Sequence, residues 1–200
     1  MIDPAVRPPA QQRSRDGWER ILSVGLELLT TGGAEALTVS EVCRRAGVSA
    51  PSLYARVDGR AGLFSAVYER GIELVREAEV AARERFASAD PSVAGQVRGA
   101  VAALATLFDE QAPFLRAVIQ HSSVDSAFRA RGATEARRVI DGLVAALPGG
   151  DEPARAVATT LFAECVVRTQ YGDDFFDPKG ESLGDFIERL STLAIARLAH

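Results

Sequence analysis

The chain has 200 residues, 47% of them hydrophobic and 25% charged, which is enough for one large or two small globular domains and too apolar for a disordered chain. A net charge of −4 argues against a general polyanion binder. The charge is uneven, however: residues 1–60 hold eight arginines against seven acidic residues, leaving 15 basic and 20 acidic residues for 61–200, so a modest basic end suited to phosphate contact sits on an acidic body.

Residues 1–13, with Pro4, Pro8 and Pro9, read as an unstructured arm, either a plain terminus or a strand of chain reaching a minor groove. A first helix starts near Ser14–Asp16, carries Trp18, Ile21, Leu22, Leu28 and Leu29 at helical spacing, with Trp18 expected in the core, and ends at Gly32 and Gly33. Thr38 and Glu41 then stand in the spacing of a capping box, the hydroxyl taking the Glu41 amide and the carboxylate reaching back to the cap amide. The second helix that they open has Val39, Val42, Cys43 and Ala46 on one face and is too short to be stable alone. Gly47 stops it, and Ser49 caps a third helix with Pro51 in its first turn. Leu53 and Val57 would face inward; Ala50, Pro51, Ser52, Tyr54, Ala55 and Arg56 would face out. Two short helices at a fixed turn make a helix-turn-helix, and this outer face is the part that enters a major groove.

A fourth helix, from about Arg60 to Phe86, is long enough to join two domains. Asp90 and Pro91 open a fifth, to Phe108; Ala112 and Pro113 a sixth, to about His121; Asp125 a seventh, ending at Pro148-Gly149-Gly150. Asp151 to Pro153 open an eighth, to Tyr171, and Ser182 with Asp185 opens a ninth. No strand pattern occurs, so the fold class is all-α. The expected domains are a helix-turn-helix unit over 14–60 and a helical ligand-binding and dimerisation domain over 61–200. The eighth and ninth helices are apolar on more than one face, one for the core and one for a partner copy; Leu161, Val166, Leu183, Ile187 and Leu190 are the expected dimer contacts.

Enzyme chemistry finds no constellation: there is no G-x-S-x-G, phosphate loop or metal-ligand spacing, so no catalytic residue, cofactor or metal is expected. Glu164 and Arg168 read as a helix pair. Cys43 and Cys165 are too few and too distant for a disulfide framework and fit a reducing cytoplasm. No apolar run approaches the roughly 20 residues of a membrane span, so the expectation is a soluble cytoplasmic protein without a membrane partner. Polar residues among apolar helices suggest a cavity, with Phe108, Phe114, Val118, His121, Phe162 and Cys165 as lining and an apolar or aromatic ligand.

The run Gly47-Val48-Ser49-Ala50-Pro51-Ser52-Leu53-Tyr54, with Arg60, Leu63 and Val67 after it and Trp18, Ile21, Leu28, Leu29, Gly32 and Gly33 before it, resembles the DNA-binding domain of the TetR family of bacterial transcriptional regulators. The resemblance covers residues 14 to about 72. It implies that the third helix reads DNA through Pro51, Ser52, Tyr54 and Arg56, that Thr38 caps the second helix against a phosphate, and that Arg60 replaces a phosphate-binding lysine. Arg45, Ser49, Ala50 and Ala55 complete the expected DNA-facing set. This chain departs from the family in having Arg56 for a histidine and Val57 for an aromatic residue. The resemblance further implies a homodimer paired through the last two helices, a double-stranded inverted-repeat operator, and a small-molecule inducer that releases it. The competing expectation, prompted by the small Ala50 and Ala55, is a helical ligand-binding or interaction protein of the same fold without specific DNA binding.

Overall fold

The computed structural model describes residues 10–87 and 90–199, and every regular element among them is an α-helix. In chain order these are α1 (Ala10–Ala36), α2 (Val39–Ala46), α3 (Ala50–Tyr54), α4 (Gly59–Arg85), α5 (Val93–Glu110), α6 (Ala112–Val124), α7 (Ser126–Ala146), α8 (Asp151–Tyr171) and α9 (Leu183–Leu198). None of them is long and apolar enough to cross a membrane. Helix α1 begins at Ala10, inside the stretch expected to be an arm; residues 1–9 of that arm lie outside the described residues. The chain divides within α4 into two compact units, one through Glu73 and one from Leu74.

In the first unit, α1 breaks where two adjacent glycines predict it: Gly33 takes φ 67°, which only glycine adopts at low cost. Ile21, Leu22, Leu28 and Leu29 of α1 are buried, as are Leu37, Val42, Leu53, Leu63, Phe64, Val67 and Ile72. Gly25 is what lets α1 lie close on α4, because a Cβ there would overlap Cγ2 of Val67. Trp18 is half-buried rather than core, and the Arg56 guanidinium lies over its ring, 5.3 Å from the ring centre.

The second unit has its own core: Val97, Val101, Leu104 and Phe108 of α5 meet Val139 and Leu143 of α7, Ala154, Ala158, Leu161 and Cys165 of α8, and Phe186, Leu190 and Ala194 of α9. Its helices start at hydroxyl and carboxylate caps. Ser92, not Asp90, caps α5: its hydroxyl accepts from the Gly95 amide at 3.1 Å, while the Asp90 carboxylate turns to the Ser92 amide and hydroxyl. Asp125 accepts from the Ala127 and Phe128 amides, and Ser182 from the Asp185 amide. Helix α6 runs on to Val124, past the expected end at His121.

Two stability predictions follow from this packing. Gly25→Ala should lower the urea midpoint, since overpacking against a stiff valine costs about 1–3 kcal/mol. In a Val67→Ala background the same change should raise it, because a helix-propensity gain of about 1 kcal/mol then meets no clash. Ser191 is fully buried and its Oγ is without a hydrogen-bond partner among the described residues, so Ser191→Ala should stabilise by about 1–2 kcal/mol in the same assay.

Candidate nucleic-acid interface

The first unit builds its exposed face from two capped turns. Thr38 is extended (φ −113°, ψ 149°) and its Oγ1 accepts from the Glu41 amide at 3.3 Å, which starts α2. Only this half of the capping box forms. The Glu41 carboxylate turns away from the cap and accepts from Arg44 Nε at 2.9 Å and Nη2 at 2.7 Å and from Arg45 Nε at 2.6 Å. Those hydrogen bonds, from Arg44 first and Arg45 second, hold the Glu41 carboxyl down at about 2. A depressed carboxylate keeps its ion pairs above the ordinary carboxylate range and loses them as pH falls towards 2.

Gly47 closes α2 in the left-handed conformation (φ 65°), donating its N–H to the Cys43 carbonyl, and Arg20 Nε donates to the Ala46 carbonyl beside it. Ser49 then caps α3, its Oγ accepting from the Ser52 amide at 3.3 Å and lying 2.8 Å from the Ser52 hydroxyl. Leu53 is completely buried and anchors α3. The rotation that this imposes leaves Ala50, Pro51, Ser52, Tyr54, Ala55 and Arg56 exposed, with the Tyr54 ring more than half in solvent.

The arginines expected on DNA each have a partner within the unit. Arg45 bridges Glu41 and Glu27, the latter at 3.1 Å. Arg56 folds back on α1, its Nη2 donating to the Ser14 hydroxyl at 2.6 Å and carbonyl at 3.2 Å. Arg60 donates from Nε to the Leu37 carbonyl and from Nη2 to the Ala34 carbonyl, which makes it a clasp on the turn between α1 and α2. Arg44, absent from the expected set, is the most exposed member of the Glu41 cluster. The adjacent Arg44-Arg45 pair was the signal for it.

The second unit separates the six residues expected to line a ligand site. Phe108 and Cys165 border a cavity of about 180 Å³ together with Arg116 and Thr169. Phe162 packs edge-on to Phe108, with ring centres 5.3 Å apart. Phe114 and Val118 are buried on α6, and His121 stands edge-on to Phe128 at 5.1 Å. Burial pushes the Cys165 thiol up to about 12, which makes it a core residue rather than a nucleophile. A more apolar cavity, of about 270 Å³, lies between the end of α4, α5 and α7, and none of the six borders it. Small residues at helical spacing, Gly99, Ala100 and Ala103 facing Gly142 and Ala146, hollow it out and were its sequence signal.

Leu161 and Leu190, expected at a dimer seam, are buried in the chain's own core; Val166, Leu183 and Ile187 are half-buried against it. The exposed apolar position beside them is Leu193, on the rim of a groove between α8 and α9 that Ala156 and Thr160 also border. Glu164 and Arg168 are not the helix pair that their spacing suggests: Glu164 pairs with Arg189, and Arg168 donates to the Glu181 carbonyl and covers the Phe186 ring. Among the described residues no group of three or more histidine, cysteine or acidic side chains is placed to hold a metal ion.

One prediction tests the arginine cluster. Glu41→Gln leaves the cap amide in place, frees Arg44 and leaves Arg45 with Glu27 as its one carboxylate partner, so binding to duplex DNA should strengthen at low salt. Its log–log salt slope should steepen by about one to two units in an anisotropy titration. An unchanged slope would mean that these guanidiniums do not reach phosphate.

Residues 21–67, which include the whole turn between α2 and α3, match the family model of bacterial regulatory proteins, tetR family. No curated protein matches the chain. Among solved structures, a TetR-family transcriptional regulator from Streptomyces coelicolor is similar with a TM-score of 0.72 and 17% identity, over 98% of each chain. A TetR-like regulator from Rhodococcus sp. RHA1 is similar at 0.62 and 18%, covering 96% of this chain and 99% of that one. The TetR family repressor AlkX from Dietzia sp. is similar at 0.52 and 17%, covering 90% and 96%. At these identities the structural likeness shows the fold, all-α with an N-terminal helix-turn-helix and a helical C-terminal unit. With the family match on the helix-turn-helix itself, residues 21–67 form a DNA-binding domain of the kind found in bacterial regulatory proteins of the tetR family.

Proposed function

We propose that this protein is a cytoplasmic homodimeric repressor that binds an inverted-repeat operator and is released by a small molecule bound in its second unit. The observation that carries the reading is the solvent-exposed face of α3, fixed in rotation by the buried Leu53 and by the Ser49 cap. Pro51, Ser52 and Tyr54 would meet the groove, with Thr38 and Ser49 against the backbone. A two-fold dimer presents two such faces one helical turn of DNA apart, which requires a palindromic site. Arg45 and Arg56 would exchange their present acidic and carbonyl partners for phosphates, a trade between charged hydrogen bonds of similar strength.

For dimerisation the support is the exposed Leu193 beside the α8–α9 groove, a surface suited to a second pair of the same helices. For effector binding it is the apolar cavity beside the end of α4, a helix that also carries residues of the DNA-reading unit. An inducer must bind the DNA-incompetent state more tightly, and operator DNA must then weaken the inducer by the same factor. The engaged state of Arg45 and Arg56 favours a second reading, a ligand-binding protein of this fold without operator affinity.

A gel shift with the intergenic DNA beside the protein's own gene separates the two. Specific retardation that Tyr54→Ala weakens supports the repressor; retardation equal to that of random DNA sinks it. Leu193→Arg should convert dimer to monomer in sedimentation with the circular dichroism unchanged. Leu190→Arg should instead unfold the chain, since an unpaired charge in the core costs several kcal/mol. A dimer that tolerates Leu193→Arg would move the interface off this face.

A further inference from the structure

The polar end of the 270 Å³ cavity has a distinct chemistry. Glu79 is buried there, and both its carboxylate oxygens are taken: Oε1 accepts from Arg83 Nη2 at 2.6 Å and Oε2 from Arg138 Nη2 at 2.6 Å. A carboxylate so engaged is a poor partner for a cationic ligand. Arg138 is further tied to Glu135, its Nε donating at 3.0 Å. Arg83 is the looser of the two guanidiniums: it remains about half exposed and borders the cavity. Gly142 makes room for it, because a Cβ there would land on Nη2 of Arg83 and lie 3.2 Å from its Cζ. The remaining wall is apolar, from Ala100, Leu104, Leu107, Val139 and Leu143, except for Gln96, whose Nε2 donates to the Pro91 carbonyl.

A ligand that fills this space strips water from Arg83. A neutral tail would dehydrate the guanidinium donors that Glu79 does not take; a cation would add repulsion; an anion replaces the lost water with charge-assisted hydrogen bonds in the fork geometry that carboxylates match. The volume, about 270 Å³, lies just below the roughly 300–1,000 Å³ of ligand pockets, which favours a short or medium chain over long chains and multi-ring compounds. Resting on the reading of the second unit as the effector-binding part, we infer that the cavity takes a monocarboxylic acid with a medium-length apolar tail, its carboxylate on Arg83 and its tail between α5 and α7.

Calorimetry on the full chain with octanoate and, as its neutral counterpart, octanol tests this. Octanoate should bind on the order of tenfold more tightly than octanol or better. Arg83→Met should erase that preference while keeping the octanol affinity, and Ala103→Phe, which fills the cavity, should abolish both. Should Arg83→Met not fold, Arg83→Gln, which retains a hydrogen bond to Glu79, serves in its place. Equal affinities for acid and alcohol, or a preference that survives the loss of Arg83, overturn the carboxylate assignment and leave the cavity standing as the effector site. Binding that Ala103→Phe does not touch, or no heat from either compound, overturns the cavity itself.

Discussion

A five-residue helix has no stability of its own, because the dihedrals fixed to nucleate it are repaid by too few backbone hydrogen bonds. Helix α3 is that short, and its persistence depends on the burial of Leu53 and on the Ser49 hydroxyl at its start. The first unit is arranged around that dependence. Gly47 makes the corner, Gly25 lets α1 and α4 close on each other, and the core of Leu29, Leu37, Val42, Leu63 and Val67 gives Leu53 something to be buried in. One leucine on the inner side thus decides which six residues face solvent on the outer side, so the rotation of the DNA-facing surface is a packing property before it is a recognition property.

Local chemistry was legible in the sequence. Thr38, Ser49, Asp125 and Ser182 cap helices as their spacing predicts, since a cap needs only residues two or three apart. Even there Asp90 yielded to Ser92, because Gly95, without a side chain, seats against the aspartate and leaves the serine hydroxyl to meet the amide. The partners of long side chains were not legible. Arg56 and Arg60 reach groups 42 and 26 residues away in sequence, and a guanidinium on four rotatable bonds goes to whichever acceptor the tertiary fold brings within reach.

The apolar cavity was missed for a related reason. Reading hydrophobic periodicity finds what fills a core, whereas a cavity is made by what is absent, here the side chains of Gly99 and Gly142 and the short ones of Ala100 and Ala103. Phe108, Phe114, Phe162 and Cys165 are large or apolar and drew attention accordingly, yet large apolar groups close space as readily as they line it. The same limit applied to Leu161 and Leu190. A helix that is apolar on two faces shows which residues avoid water, and not whether its own chain or a second copy covers them.

The burial of Cys165 carries a practical consequence. Thiol-directed reagents attack the thiolate, and a sulfhydryl enclosed in apolar surroundings and held protonated to about pH 12 presents almost none at neutral pH. The chain's other cysteine, Cys43, is free and only partly covered, on the α2 segment that precedes the turn to α3. A maleimide dye therefore distinguishes the two without mutagenesis. It places a single fluorophore or spin label beside the reading head of the native sequence, and a label that begins to appear at Cys165 registers opening of the second unit's core.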